Sequence, residues 1–196
     1  MCIFKKFSLY LLVFFLLFLI VFVESGFCRQ KIIKTEYFTI YYDQGCNLAD
    51  IANKLNVEHF LHIDIFSQND NSQSIDSIIS SLFDSIYLEV SDILDIHIYS
   101  FHATIKILSD KEKMADVLEK YLKKRINMPS YYFQSKNTIY ISFDDLTLGM
   151  LAHEIAHAII SHYFVVAPSE NVQEVLSGYV EYSIRKSTGT LTEIMK

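Results

Sequence analysis

The sequence predicts an α+β fold in which a small mixed sheet packs on helices, and three observations carry that expectation. Segments rich in β-branched and aromatic residues recur at 31–42, 101–108 and 130–143, which is strand composition. Four longer stretches place apolar residues at helical spacing, at 75–96, 109–122, 146–164 and 169–186. The third of these contains His153-Glu154-Ile155-Ala156-His157, and the fourth carries Glu174. A length of 196 residues suits one such domain behind a targeting segment.

The N-terminus reads as that segment. Lys5 and Lys6 precede an unbroken apolar run, Leu9–Val23, which Glu24-Ser25-Gly26 ends. This is the pattern of a secretory signal peptide, residues 1–25, with a cut before Gly26. Residues 26–196 then form a single exported domain, periplasmic or secreted. The run is short for a spanning helix, which needs about 20 residues. The alternative is an uncleaved anchor that leaves the domain membrane-bound outside the cytoplasm. Cys28 and Cys46 remain after cleavage, and an oxidising compartment would allow them to pair.

Taken in order, Lys31–Tyr42 is expected to be the first strand, and Asp43-Gln44-Gly45 a turn. Asn47 caps a short helix with Leu48, Ile51, Ala52 and Leu55 on one face. Glu58–Phe66 alternates imperfectly and is taken as a strand, whose period of two puts His59 and His62 on opposite faces. The polar loop Ser67–Ser74 leads into the longest periodic helix, 75–96. Phe101–Leu108 is a strand, and Ser109 with Glu112 reads as a capping box. Met114, Val117, Leu118, Tyr121 and Leu122 face inward on the helix it opens.

Ser130–Phe133 and Thr138–Phe143 flank Gln134-Ser135-Lys136-Asn137 and predict a hairpin. Its second strand directly precedes the two-histidine helix, so it is the expected site for an extended substrate to pair. Asp144 or Asp145 is expected to cap that helix, which ends near Phe164. On the last helix Val172, Val175, Leu176, Tyr179, Val180 and Ile184 form an apolar side. Glu174, Ser177, Gly178, Glu181 and Arg185 form the opposite stripe.

Charge excludes one class of partner. The formal net charge is −6, and losing Lys5, Lys6 and Glu24 makes it −7. Lys120–Arg125 is the only dense positive stretch and reads as a solvated helix end, so nucleic acid is not an expected partner.

The chemistry lies in 153–157. Histidines four apart share a helix face, so both imidazoles reach a single ion. Met150, Leu151, Ala152, Ile155, Ala156, Ile159 and Ile160 make the surrounding helix apolar, and buried imidazoles there need a partner. Catalytic zinc takes three protein ligands and keeps a position for water. The candidates for the third are His162, Glu170, Glu174 and Glu181. Tyr163, Tyr179 and His162 are candidates to stabilise an oxyanion.

His153-Glu-Ile-Ala-His157 followed by Gln173-Glu174-Val-Leu-Ser-Gly-Tyr-Val-Glu181-Tyr resembles the gluzincin metallopeptidases of the peptidase MA clan. The chain is most similar to small exported bacterial proteins called peptidase MA-like, over roughly Tyr37 to Arg185. The resemblance implies a zincin-like fold binding one Zn2+ through His153, His157 and Glu174, with Glu154 as general base. It implies a peptide or protein substrate. The motif with which the aminopeptidase branch grips a free amine has no counterpart before His153. The rival expectation is a non-catalytic, zinc-stabilised binding or assembly module. A membrane partner is expected only if the N-terminal segment stays uncleaved.

Overall fold

The computed structural model describes residues 30–55, 58–59 and 74–193. In chain order the elements are β1 (Lys31–Lys34), β2 (Phe38–Tyr42), α1 (Leu48–Lys54), α2 (Ile75–Leu94) and β3 (Ala103–Leu108). Then come α3 (Lys111–Leu122), β4 (Ser130–Phe133), β5 (Thr138–Ser142), α4 (Leu148–Tyr163) and α5 (Glu170–Ser187). The class is α+β as expected, with a mixed five-stranded sheet in the order β1-β2-β3-β5-β4. Strands β2, β3 and β5 run parallel, and β1 and β4 join antiparallel at the two edges.

Period-two alternation builds the core. Phe38, Ile40, Ile105, Ile107, Ile139 and Ile141 project from one sheet face and are at most 1% exposed. They meet Leu82 and Ile86 of α2 and Leu151, Ile155 and Ile159 of α4 in one cluster. Each such side chain contributes roughly 1.5–3 kcal/mol by leaving water. The opposite face buries a smaller cluster of Leu108, Met114, Leu118, Phe133 and Tyr140 beneath α3. Met114 and Leu118 come from the face of α3 that the periodicity selected.

Several expectations change. Lys31–Tyr42 is two strands, because the chain reverses at Thr35–Tyr37. Asp84 of α2 fixes that turn: it accepts the Thr35 hydroxyl at 2.6 Å and the Tyr37 N–H at 3.2 Å. Asp110, not Ser109, caps α3, accepting the Lys113 N–H at 2.9 Å while Ser109 donates to Asp110. Thr147 caps α4, and Asp145 is drawn instead to Lys111 at 2.7 Å. Strand β5 is paired on both sides, so the free edge beside α4 belongs to β4 and not to the strand preceding the helix.

The largest change is on α5. Of the expected apolar side Val180 and Ile184 are fully buried, but Val172, Val175 and Tyr179 are 47%, 71% and 57% exposed, and Ser177 of the opposite stripe is fully buried. The helix turns its mixed polar stripe toward α4. Of the expected strand 58–66, Glu58 and His59 have helical backbone, and His62 lies outside the described residues. The 1–25 segment and Cys28 also lie outside them; Cys46 is buried. Among the described residues no helix is long and apolar enough to cross a membrane.

Candidate metal centre

Helix α4 forms here because apolar residues surround it on almost every side and Thr147 satisfies its first turn through the Met150 N–H. His153 and His157 lie one turn apart on the face that meets α5. After Phe164–Ser169 the chain reverses, so α5 runs antiparallel to α4. The pairing proceeds in order along the two helices, His157 against Glu174 and His153 against Glu181.

Donors from three residues converge. His153 Nε2 lies 3.2 Å from His157 Nε2. Glu174 places Oε1 3.3 Å from His157 Nε2 and Oε2 3.5 Å from His153 Nε2. A tetrahedral ion held at about 2.1 Å by each ligand requires donors about 3.4 Å apart. Two imidazole nitrogens facing each other at 3.2 Å also need a proton or a cation between them. The donor set therefore fits a divalent metal in both spacing and chemistry. The histidines are largely covered, with side chains 21% and 13% exposed, whereas that of Glu174 is 54% exposed.

The other candidates for third ligand stand elsewhere. His162 donates through Nδ1 to the Ala158 carbonyl at 2.8 Å and packs edge-on against Phe101. Glu170 lines the same cleft but is not among the converging donors. Glu181 sits behind His153, with Oε2 3.3 Å from Nδ1. That is ion-pair distance, but it is out of line for a hydrogen bond, since Nδ1 has no aligned acceptor. Its other oxygen accepts from Arg185 at 2.7 Å and 2.9 Å.

Glu154 projects from α4 toward β4 and is 7% exposed. Ser130 Oγ donates to its Oε1 at 2.7 Å, and the Tyr132 backbone N–H faces the same carboxylate. Burial pushes the Glu154 carboxyl up, while the Ser130 hydrogen bond and the His153 charge pull against it. Burial pushes His153 down, but the carboxylates of Glu181, Glu154 and Glu174 outweigh it and leave the ring above the usual value. His157 falls below it, first through burial and then through the charge of His153. His153 holds Glu181 below the ordinary carboxyl value, with burial opposing and Arg185 helping.

These groups open onto a cleft of about 610 Å³. Its lining also includes Leu122, Met128 and the β4 residues Tyr131 and Phe133. No lysine or arginine lines it among the described residues. Tyr163 and Tyr179, named for an oxyanion role, are exposed and do not line this cleft. Three further residues belong to the site. Ser130 reaches it across the sheet edge and leaves no local signal in the sequence. Arg185, four residues after Glu181, and Gly149, four before His153, do leave one at helical spacing. No protein-family model, curated protein or solved structure matches the chain.

Proposed function

We propose that the chain is a zinc-dependent hydrolase of peptide bonds, zincin-like in its two-helix centre. One observation carries this reading: His153 and His157 bring their Nε2 atoms to 3.2 Å, each 3.3–3.5 Å from an oxygen of Glu174, beside the buried carboxylate Glu154 on the same helix as the histidines. When bound, zinc would supply Lewis acidity to a substrate carbonyl and lower the pKa of water toward 7. His153 and His157 would hold it through Nε2 and Glu174 through its carboxylate.

Glu154 is the proton acceptor. Its burial pushes the carboxyl up, the direction that favours accepting a proton. The Ser130 hydroxyl and the Tyr132 N–H orient the carboxylate, which would receive a proton and return it to the leaving amine. The free edge of β4 beside α4 suits an extended peptide, whose backbone would pair along it. A cleft lined by Glu154, Glu170 and Glu174, with no lysine or arginine among the described residues, disfavours anionic substrates.

The rival, a zinc-stabilised binding module, draws on the engagement of Glu154 by Ser130, since a structural carboxylate is held in the same manner. Metal analysis of the purified protein with a peptide-library cleavage assay separates the two. Stoichiometric zinc with chelator-sensitive cleavage supports the hydrolase. Bound zinc without cleavage supports the module, and no bound metal defeats both. Export with removal of residues 1–25 belongs to the same proposal, on the strength of the apolar run alone. N-terminal sequencing from an exporting host tests it, and retention of Met1 in membranes favours the anchor.

A further inference from the structure

We infer that Arg185 is a positioning residue for the His153 ligand, acting through Glu181, and that Gly149 exists to admit it. The inference rests on the metal reading of the site. The two helices pair as a three-rung ladder along their shared face. His157 meets Glu174, His153 meets Glu181, and Gly149 meets Arg185. The first two rungs are side-chain pairs. The third is a guanidinium packed against a helix backbone that has no side chain.

That gap is specific. A Cβ built on Gly149 would stand 2.6 Å from Arg185 Nε, 3.1 Å from Cγ and 3.2 Å from Cζ. Real side chains do not approach so closely, so any larger residue displaces the arginine. Glycine inside a helix is destabilising relative to alanine, and Gly149 is wholly buried in the first turn of α4. The need to seat Arg185 accounts for it. Gly178 on the facing helix gives the contrast: a Cβ there meets nothing within 4 Å.

Seated against Gly149, Arg185 directs both Nη2 and Nε at one oxygen of Glu181, at 2.7 Å and 2.9 Å. The other oxygen is left facing His153 Nδ1 at 3.3 Å. At that ion-pair distance the carboxylate charge favours the proton on the rear nitrogen and so leaves the lone pair on the front one. Here the front nitrogen is Nε2, which faces His157 and Glu174. The Arg185 side chain is 18% exposed, so its charge is little screened where it meets Glu181. Gly149 therefore sets the place of Arg185, Arg185 sets the direction of Glu181, and Glu181 sets the tautomer of His153.

The test is zinc affinity of the purified full-length chain, measured by competition with a chromophoric chelator, together with melting of the metal-free protein. Arg185→Met keeps the methylene packing and removes the fork, and zinc should bind 10–100-fold more weakly. In a Glu181→Gln background the same substitution should change affinity less than about threefold, because the group it acts through is gone. Gly149→Ala should reproduce the loss by pushing Arg185 out. Arg185→Lys, which keeps the charge but not the fork, should fall between wild type and Arg185→Met, and it carries the test if Arg185→Met does not fold. Wild-type affinity in both Arg185 variants overturns the inference while leaving the metal site standing. An equal loss in both Glu181 backgrounds also overturns it, since Arg185 would then be only a brace between helices. A wild-type chain that binds no zinc instead brings down the metal reading itself.

Discussion

Ser130 Oγ donates to Glu154 Oε1 at 2.7 Å, which ties the free edge strand to the helix that carries both histidines. Ser130 is 5% exposed and Glu154 is 7% exposed, so neither has water to fall back on. Ser130→Ala should lower stability by about 1–3 kcal/mol, the usual result of leaving a buried acceptor short of a partner. It should leave zinc affinity unchanged. Denaturant titration beside a zinc titration reads both, and weakened zinc binding would contradict the division of roles.

Glu154→Gln should retain zinc and lose hydrolysis. Glutamine has nearly the same shape and still accepts from Ser130, but it cannot take a proton. Loss of a general base costs on the order of 10²–10⁴ in rate. Wild-type turnover of this variant in a preparation free of contaminating protease would remove Glu154 from the mechanism.

Glu174→Ala and Glu170→Ala should diverge. Only Glu174 brings an oxygen to both histidines, whereas Glu170 lies in the first turn of α5. The Glu174 variant should bind zinc at least 10–100-fold more weakly, the range known for changes behind a ligand. The Glu170 variant should match wild type. Equal affinities for all three proteins would exclude Glu174 as a ligand.

Asp43 offers a test of the fold away from the cleft. It is 2% exposed and accepts the Ser109 N–H at 3.1 Å and Lys113 Nζ at 2.8 Å. Burial pushes its carboxyl up, but Lys113, the Ser109 N–H and Gln30 together hold it below the ordinary value. A carboxyl depressed in the folded state stabilises fully above its unfolded pKa near 4, and that contribution is lost as pH falls through the lower folded value. Asp43→Asn should cost about 2 kcal/mol at pH 7. The gap to wild type should stay flat from about pH 5 upward and narrow below about pH 4. Urea unfolding across that range measures it, and an undiminished gap at about pH 3 would contradict the assignment.

How much of this was legible beforehand depended on how local the cause was. The helices were, because Ile78, Leu82 and Ile86 or Leu151, Ile155 and Ile159 repeat within one element. So was the hairpin of β4 and β5, whose turn residues sit between its strands. The reversal at Thr35–Tyr37 was not, since residue 84 holds it from another helix. Nor was the α4 cap: a distant lysine takes Asp145 and leaves the role to Thr147. The α5 face misled for a further reason. Apolar periodicity selects Val172, Val175, Leu176, Tyr179, Val180 and Ile184 as the core side, and Val180 and Ile184 are buried; Val172, Val175 and Tyr179 are not, since the helix it meets presents His153 and His157, and polar groups pair with polar groups. The converging trio was named from motif spacing and resemblance, while Ser130 lay beyond any local pattern.

The proposed ligands all fall within a short stretch of chain. Glu174 follows His157 by seventeen residues, and most of that interval is already helix. Closing a flexible loop of that size costs about 2.5 kcal/mol in chain entropy beyond a constant, a modest cost for bringing α4 and α5 together. The antiparallel pair packs on the main core through Leu151, Ile155, Ile159, Val180 and Ile184. An ion bound across it would act as a clasp on the C-terminal helix. Amide exchange should show the clasp as protection concentrated in α5, gained with metal and lost with chelator, while the central strands exchange at the same slow rate in both states.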